Sequence, residues 1–435
     1  MAIFPGAKGG DILAWRGIAE VIGEMRRSKA DRISGLRTEE SIDLLNGLKG
    51  RLEEELAFEE RFSALFSQAQ AEIEDARIED DFTTLMFRFN RLIEEYYRKR
   101  GSVVALHTLL TSCRDGLARK GLQRVEEWLE MEGAGRPPVR YCLLAGGSIG
   151  RMEQTFCIDP AYLLIHDDTT ADGAGYFEKF TYRAVAFLES IGLLNSVGAA
   201  AALKAFRNDS RTGWRREITG DLALGDREML SELVRRADLR LICGDSALAE
   251  EMINVVRSML EFRQGELRET SKDAAMASRS RAAVSFPMPV LREIGKTTSE
   301  MTSGLDFFNR LRLEKSGSHR GEFDLERYAL APLVTNVRIL AVSDGLHETA
   351  TVDRIKGLQE RGLLSVELTE RLLRAYHDFT RLKLNRQLAR GCDEDRSRFV
   401  NPHELTPDEE RLLRNGLEAV AGLEKIAYLR FAEQG

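Results

Sequence analysis

No stretch of the chain approaches the ~20 uninterrupted apolar residues of a membrane-spanning helix, so no membrane role is expected. Lys/Arg-rich runs with interleaved aromatics are also missing, and the formal net charge is −7. The electrostatic footprint of a nucleic-acid partner is therefore absent. Cysteine is scarce: Cys113, Cys142, Cys157, Cys243 and Cys392 are odd in number, scattered and never in a CxxC pair. That pattern predicts reduced thiols in a cytoplasmic protein, with Cys142, Cys157 and Cys243 as small core residues. The six histidines include no HxxxH or HxH pair, which argues against zinc. There is no GxxxxGK[ST] P-loop, and GGSIG lacks the GxGxxG spacing of a dinucleotide site. Ser148 has no nearby histidine of nucleophile-elbow type, which disfavours a hydrolase. The opening segment MAIFPGAKGGD shows neither a basic start followed by an apolar core nor a cleavage pattern, so no secretory signal is expected.

What is present reads as a globular protein of two or three domains: 435 residues, 43% hydrophobic and 31% charged. The first ~135 residues look helical. Thr38 is placed to cap a helix carrying Ile42, Leu45, Leu48, Leu52 and Leu56 on one face, and Leu85, Phe89, Leu92 and Tyr96 mark a second. Such an arm packs on its own chain or on another copy, and a homo-oligomer through these helices is one expectation. Gly133-Ala134-Gly135-Arg136-Pro137-Pro138 is a breaker cluster and the expected domain boundary.

Beyond it, Val139–Ala145 and Ile158–Ile165 read as buried strands, Ala174–Ile191 as a helix, and 238–243 (DLRLIC) as a third strand ending at Gly244. Residues 264–285 are polar and small, an expected exposed connection. From about 290 the chain is helical, with Leu368, Leu372, Ala375, Phe379 and Leu382 at 4-3-4-3 spacing and Thr406-Pro407-Asp408-Glu409 as a capping box. The expected fold is α+β: a helical N-terminal region (1–135), a small mixed-sheet domain (136–265) and a C-terminal helical bundle (286–435).

The stretch LLAGGSIGRMEQTFCIDPAYLLIHDD (143–168) carries the chemistry. Small residues let backbone N–H groups approach phosphate oxygens, while a following strand aims acid at a metal ion, an arrangement suited to a nucleoside triphosphate. Taken alone, Gly146–Gly150 reads more readily as a flexible strand-to-helix turn. His166-Asp167-Asp168 reads as a polar turn at a strand's end, and His319 fits a turn-fixing and a substrate-contacting role alike.

Five segments in order, GGSIGRMEQTFCID (146–159), DLRLICGDSALAEEM (238–252), GSHRGEFDLERYALAPLV (317–334), RIKGLQERGLLS (354–365) and FVNPHELTPDEERLLRNGL (399–417), resemble one known group. It is the bacterial nucleotidyltransferase family related to the protein-PII uridylyltransferase, within the DNA polymerase β-type nucleotidyltransferase superfamily. The resemblance covers roughly residues 85–435. It implies transfer of a nucleoside monophosphate from a triphosphate to a protein or small-molecule acceptor, with Mg²⁺ as cofactor. Residue by residue, it implies nucleotide contact at Gly147, Ser148, Gly150, Arg151, Glu153 and Gln154. It also implies catalytic metal-binding carboxylates at Asp159 and Asp238. Relatives often carry sensor modules upstream, such as cyclic-nucleotide-binding or CBS domains; neither pattern is seen here.

Two departures stand out. The second metal-binding Asp of the group falls at Ala161, which ligates nothing, and Pro160 beside it suits only a strand edge or beginning. Ser196–Ala202 (SVGAAAA) keeps only Gly198 of a Cys-Pro-Gly-Gly-type segment. The alternative expectation is therefore a catalytically impaired, nucleotide-binding regulatory or scaffold protein.

Overall fold

The computed structural model describes residues 38–194, 205–220, 227–260, 304–306, 310–392 and 397–432. The expectations for residues 196–202 and 264–285 lie outside the described residues.

Among the described residues three helices come first: α1 (Thr38–Asp75), α2 (Glu79–Arg100) and α3 (Val103–Met131). The α2–α3 boundary has a local cause. Gly101 ends α2 in the left-handed conformation (φ 61), one residue beyond the basic Arg98-Lys99-Arg100 turn that suits the helix's negative end. Ser102 then caps α3, accepting from the Ala105 N–H at 3.3 Å. The stripe expected on α1 is exposed at Leu45 and Leu56; the helix's buried face is Phe62, Phe66, Ala69 and Ile73, further along. On α2, Leu85, Phe89 and Tyr96 are buried as the spacing requires.

A four-stranded sheet follows, built from β1 (Tyr141–Ala145), β2 (Tyr162–His166), β3 (Phe206–Ser210) and β4 (Arg240–Gly244) in the order β3-β2-β1-β4. β1 is antiparallel to both β2 and β4, while β2 and β3 are parallel. Between the strands lie a single turn, α4 (Gly147–Gly150), and helices α5 (Ala171–Ser190), α6 (Arg211–Gly220) and α7 (Arg227–Arg236), with α8 (Ser246–Leu260) after β4.

The central strands are apolar apart from His166 at the end of β2, because both sheet faces are covered. Leu143, Ala145, Tyr162 and Leu164 pack with α1–α3 and α5. Cys142, Leu144, Leu163 and Ile165 pack with α6–α8 and with C-terminal side chains. One core therefore runs across the 133–138 turn, joining the N-terminal helices to the sheet.

The C-terminal part begins with β5 (Phe323–Asp324) and a π-helical turn (Glu326–Leu330) leading into α9 (Ala331–Ser343). It continues through α10 (Thr351–Glu360), α11 (Val366–Arg390), β6 (Phe399–Val400) and α12 (Pro407–Ala432). Leu372, Ala375, Phe379 and Leu382 are buried on α11. The capping box is formed: Glu409 N–H donates to Thr406 Oγ1 at 3.2 Å, and Thr406 N–H donates to Glu409 Oε2 at 3.0 Å. The α+β class and its three-part order hold. No helix among the described residues is long and apolar enough to cross a membrane.

The cysteine expectation is corrected at two positions. Cys157 and Cys392 are disulfide-bonded, with Cα atoms 5.0 Å apart and a sequence separation of 235. Cys113, Cys142 and Cys243 are free thiols. Pairing over such a separation leaves no spacing signal, because it depends on where α11 ends in space.

Candidate functional site

The site starts where β1 ends. Gly146 N–H donates to Ala161 O at 2.8 Å, closing the turn against the residues that precede β2. Gly147 has φ +56, a left-handed backbone that disfavours a side chain. Gly150 serves packing instead: a Cβ there would meet Asp238 O at 2.0 Å, so turn and pre-β4 backbone approach as only glycine permits.

Beside this turn opens a cavity of about 610 Å³, within the range of small-molecule sites. Its walls bring together Gly146, Gly147, Ser148, Asp159, Pro160 and Ala161 from the turn and the pre-β2 segment. Arg151, Arg207, Arg235, Arg236 and Arg338 also line it together with Glu232 and Glu326, with Trp214 on the α6 side and Val334 and Ile339 on α9. Arg207 is held by Glu217 through contacts of 2.9 and 2.5 Å, and the Arg236 guanidinium lies 4.7 Å from the Trp214 ring. Guanidinium groups fixed this way present donors in a set geometry, which suits phosphate oxygens.

Behind the wall lies a buried ionic cluster. Asp238 is fully buried and accepts from three arginines on three elements. Arg151 Nη1 donates at 2.7 Å, Arg354 Nη1 at 2.6 Å, and Arg338 through Nε at 3.0 Å and Nη2 at 2.7 Å. Burial alone pushes the Asp238 carboxyl upward. The Arg338, Arg151 and Arg354 charges outweigh it and hold the group well below the usual carboxylate range. Glu153 takes the other side of Arg151, at 2.7 Å from Nε, and accepts from the Thr351 N–H at 2.5 Å. Gln154 O accepts from His107 Nδ1 at 2.7 Å. These contacts fasten the 151–157 loop to α3 and α10, and Arg114 reinforces it by donating to Thr155 O and Phe156 O at 2.7 and 3.0 Å.

Comparison with known families agrees with this architecture. The model described as "Putative nucleotidyltransferase DUF294" matches residues 87–227, and that described as "Putative nucleotidyltransferase substrate binding domain" matches residues 288–431. The chain belongs to this nucleotidyltransferase family. No relative was found among curated proteins.

Of the residues that the resemblance marks in this nucleotidyltransferase-family chain, Gly147, Ser148, Arg151 and Asp159 meet on the cavity wall. Gly150, Glu153, Gln154 and Asp238 do not line it. Gly150 is a packing glycine, Glu153 and Gln154 are buried posts of the loop, and Asp238 is the hub of the arginine cluster. Asp238, expected to offer a carboxylate to a cation, has both its oxygens occupied by guanidinium donors. Asp159 is exposed and precedes β2 rather than lying on it; Pro160, which donates no ladder hydrogen bond, stands between.

Domains of this kind usually use a divalent metal, and the residues present do not fit one. Ala161, at the position where the resemblance puts a second carboxylate, stands beside Gly146 and Gly147. Among the described residues no group of three or more His, Cys, Asp or Glu lies close enough to hold a metal ion. Asp167 and Asp168 sit beyond the far end of β2, paired with Arg140 and Thr212 at 2.9 and 2.6 Å, as a polar turn should be. His319 stacks on Phe399 at 3.8 Å and contacts Glu322 at 2.7 Å, fixing its turn.

The residues missed from sequence are Arg207, Arg338, Arg354 and Trp214. A signal existed for Arg338: a lone charge in the otherwise uncharged, mostly apolar stretch Ala331–Val342 requires a buried partner.

Proposed function

We propose that the chain binds a nucleoside triphosphate in the cavity beside Gly146–Ser148 and acts as a nucleotide-holding regulatory or scaffold protein. In this reading, nucleotidyl transfer is impaired. The turn and the arginine-lined wall support the binding half. The observation that carries the impaired half is Asp238: it is committed to three arginines, so with Ala161 only Asp159 offers a free carboxylate from the expected cage. The triphosphate's phosphates would lie along Gly147, Ser148 and Arg151. Its base would reach toward Trp214 and the apolar residues of α9.

A second reading keeps the family's chemistry, transfer of a nucleoside monophosphate to a protein or small-molecule hydroxyl as in protein-PII uridylyltransferase. Family membership and the exposed Asp159 on the cavity wall favour it. Binding of each ribonucleoside triphosphate and pyrophosphate release, measured on one preparation with Mg²⁺ and candidate acceptors, separates the two. Saturable binding with no pyrophosphate above background is the expected result. Sustained release that is lost in Asp159→Ala would overturn the impaired reading and establish the transferase.

A further inference from the structure

We propose that Arg151 and Arg338 form an anion subsite that neutralises the triphosphate's phosphates in place of a carboxylate-held cation, so that nucleotide binds without a divalent metal. This rests on the nucleotide reading above and specifies the charge chemistry of that site.

The cluster behind the wall is not neutral. Three guanidinium groups, Arg151, Arg338 and Arg354, face two carboxylates, Asp238 and Glu153, which leaves one positive charge in excess. His107 does not add to it: burial pulls its ring below the ordinary histidine range and keeps it neutral. Burial, together with the neighbouring Arg338 and Arg151 charges, also pulls Arg354 below the usual arginine range despite Asp238. An excess buried charge is unfavourable unless an anion compensates it.

That excess opens onto one place. Of the three arginines, Arg151 and Arg338 line the cavity and Arg354 does not. Arg151 spends Nε on Glu153 and Nη1 on Asp238, while Arg338 spends Nε and Nη2 on Asp238. Arg151 Nη2 and Arg338 Nη1 therefore have no hydrogen-bond partner among the described residues, and neither is among the buried unsatisfied atoms. Donors that are unpaired yet reachable from a cavity are what a phosphate oxygen requires. The cavity's carboxylates are Asp159, Glu232 and Glu326; Glu232 faces Arg235 and Arg236, Glu326 pairs with Lys383, and Ala161 beside the turn adds no further negative charge. The missing acid and the excess guanidinium act in the same direction.

Calorimetric titration of the full chain with ATP, GTP, CTP and UTP, in Mg²⁺ and again in EDTA, tests this. The dissociation constant of whichever triphosphate binds should change by less than about threefold between the two buffers, under ~0.7 kcal/mol. Arg338→Gln should weaken binding by about tenfold or more in both buffers. Should that variant fail to fold, Ala161→Asp decides the matter, since it lies on the cavity wall outside the cluster. Its added carboxylate should weaken binding about tenfold in EDTA, with recovery in Mg²⁺. Wild-type binding that collapses in EDTA would overturn this inference while leaving the nucleotide reading intact. An Ala161→Asp variant indifferent to Mg²⁺ would overturn it too. Absence of binding in both buffers would remove both.

Discussion

Replacing Asp238 by Asn probes what that residue is for. In the folded chain its carboxylate faces three guanidinium groups and has no exposure to water. Asn keeps the shape but removes the charge, and its NH₂ presents donors to donors. Three arginines would then face Glu153 alone. Breaking a buried ionic arrangement by removing one partner costs about 3–5 kcal/mol, a large part of the ~5–15 kcal/mol that holds a folded protein together. Urea denaturation at neutral pH, followed by far-UV circular dichroism, should show a loss of that size. Arg338→Met in the same background should restore part of it, with a coupling of about 1 kcal/mol or more. The pH dependence has a fixed sign. A carboxyl whose folded pKa is depressed contributes fully above its unfolded value of about 3.9, and that contribution fades as pH falls toward the folded value. The difference between wild type and Asp238→Asn should therefore persist down to about pH 4 and shrink below it. An Asn variant as stable as wild type, within about 0.5 kcal/mol, would refute the structural role.

Two further expectations concern the frame around the site. His107 is buried and neutral, with Nδ1 2.7 Å from Gln154 O and Nε2 3.2 Å from the Tyr376 hydroxyl. Its folded pKa lies below the unfolded value of about 6.5, so stability should fall as pH drops below that point, by at most ~1.4 kcal/mol per unit. His107→Gln should flatten this slope in melts from pH 7.5 to 5.5, and an unchanged slope would contradict the assignment. The Cys157–Cys392 bond ties the site loop to the end of α11 across 235 residues of sequence, so the chain-entropy bound on its stabilisation is about 5 kcal/mol. Thiol titration in denaturant without reductant should count three groups of the five cysteines, and reductant should lower the melting temperature. Five reactive thiols with no change in melting would contradict the pair.

Periodicity and capping made much of the fold legible, because those signals are local. The 4-3-4-3 spacing on α11, the Thr406–Glu409 box and the apolar runs of β1 and β2 each correspond to an observed feature. β3 was not legible: FRNDS has almost no apolar content, and it joins the sheet as an edge strand parallel to β2. The start of β2 was read too early because the apolar run begins before Pro160, where ladder pairing cannot. At the site, the Gly-Gly-Ser turn was recognisable since its chemistry sits in consecutive residues. The three arginines around Asp238 come from positions 151, 338 and 354, and only folding brings them together. The metal-binding match at Asp238 rests on consecutive residues, which carry no sign of these three ion pairs. The exposed leucines of α1 teach a related point, since Leu45 and Leu56 have helical spacing without a burial partner among the described residues.

The most direct test of the nucleotide site is a crystal structure of the full chain with a non-hydrolysable triphosphate, grown without divalent metal. Phosphate density beside Gly147 and Ser148, with an oxygen within hydrogen-bond distance of Arg151 or Arg338, is the predicted result. An empty cavity at saturating ligand, or a triphosphate bound elsewhere on the surface, would contradict the account.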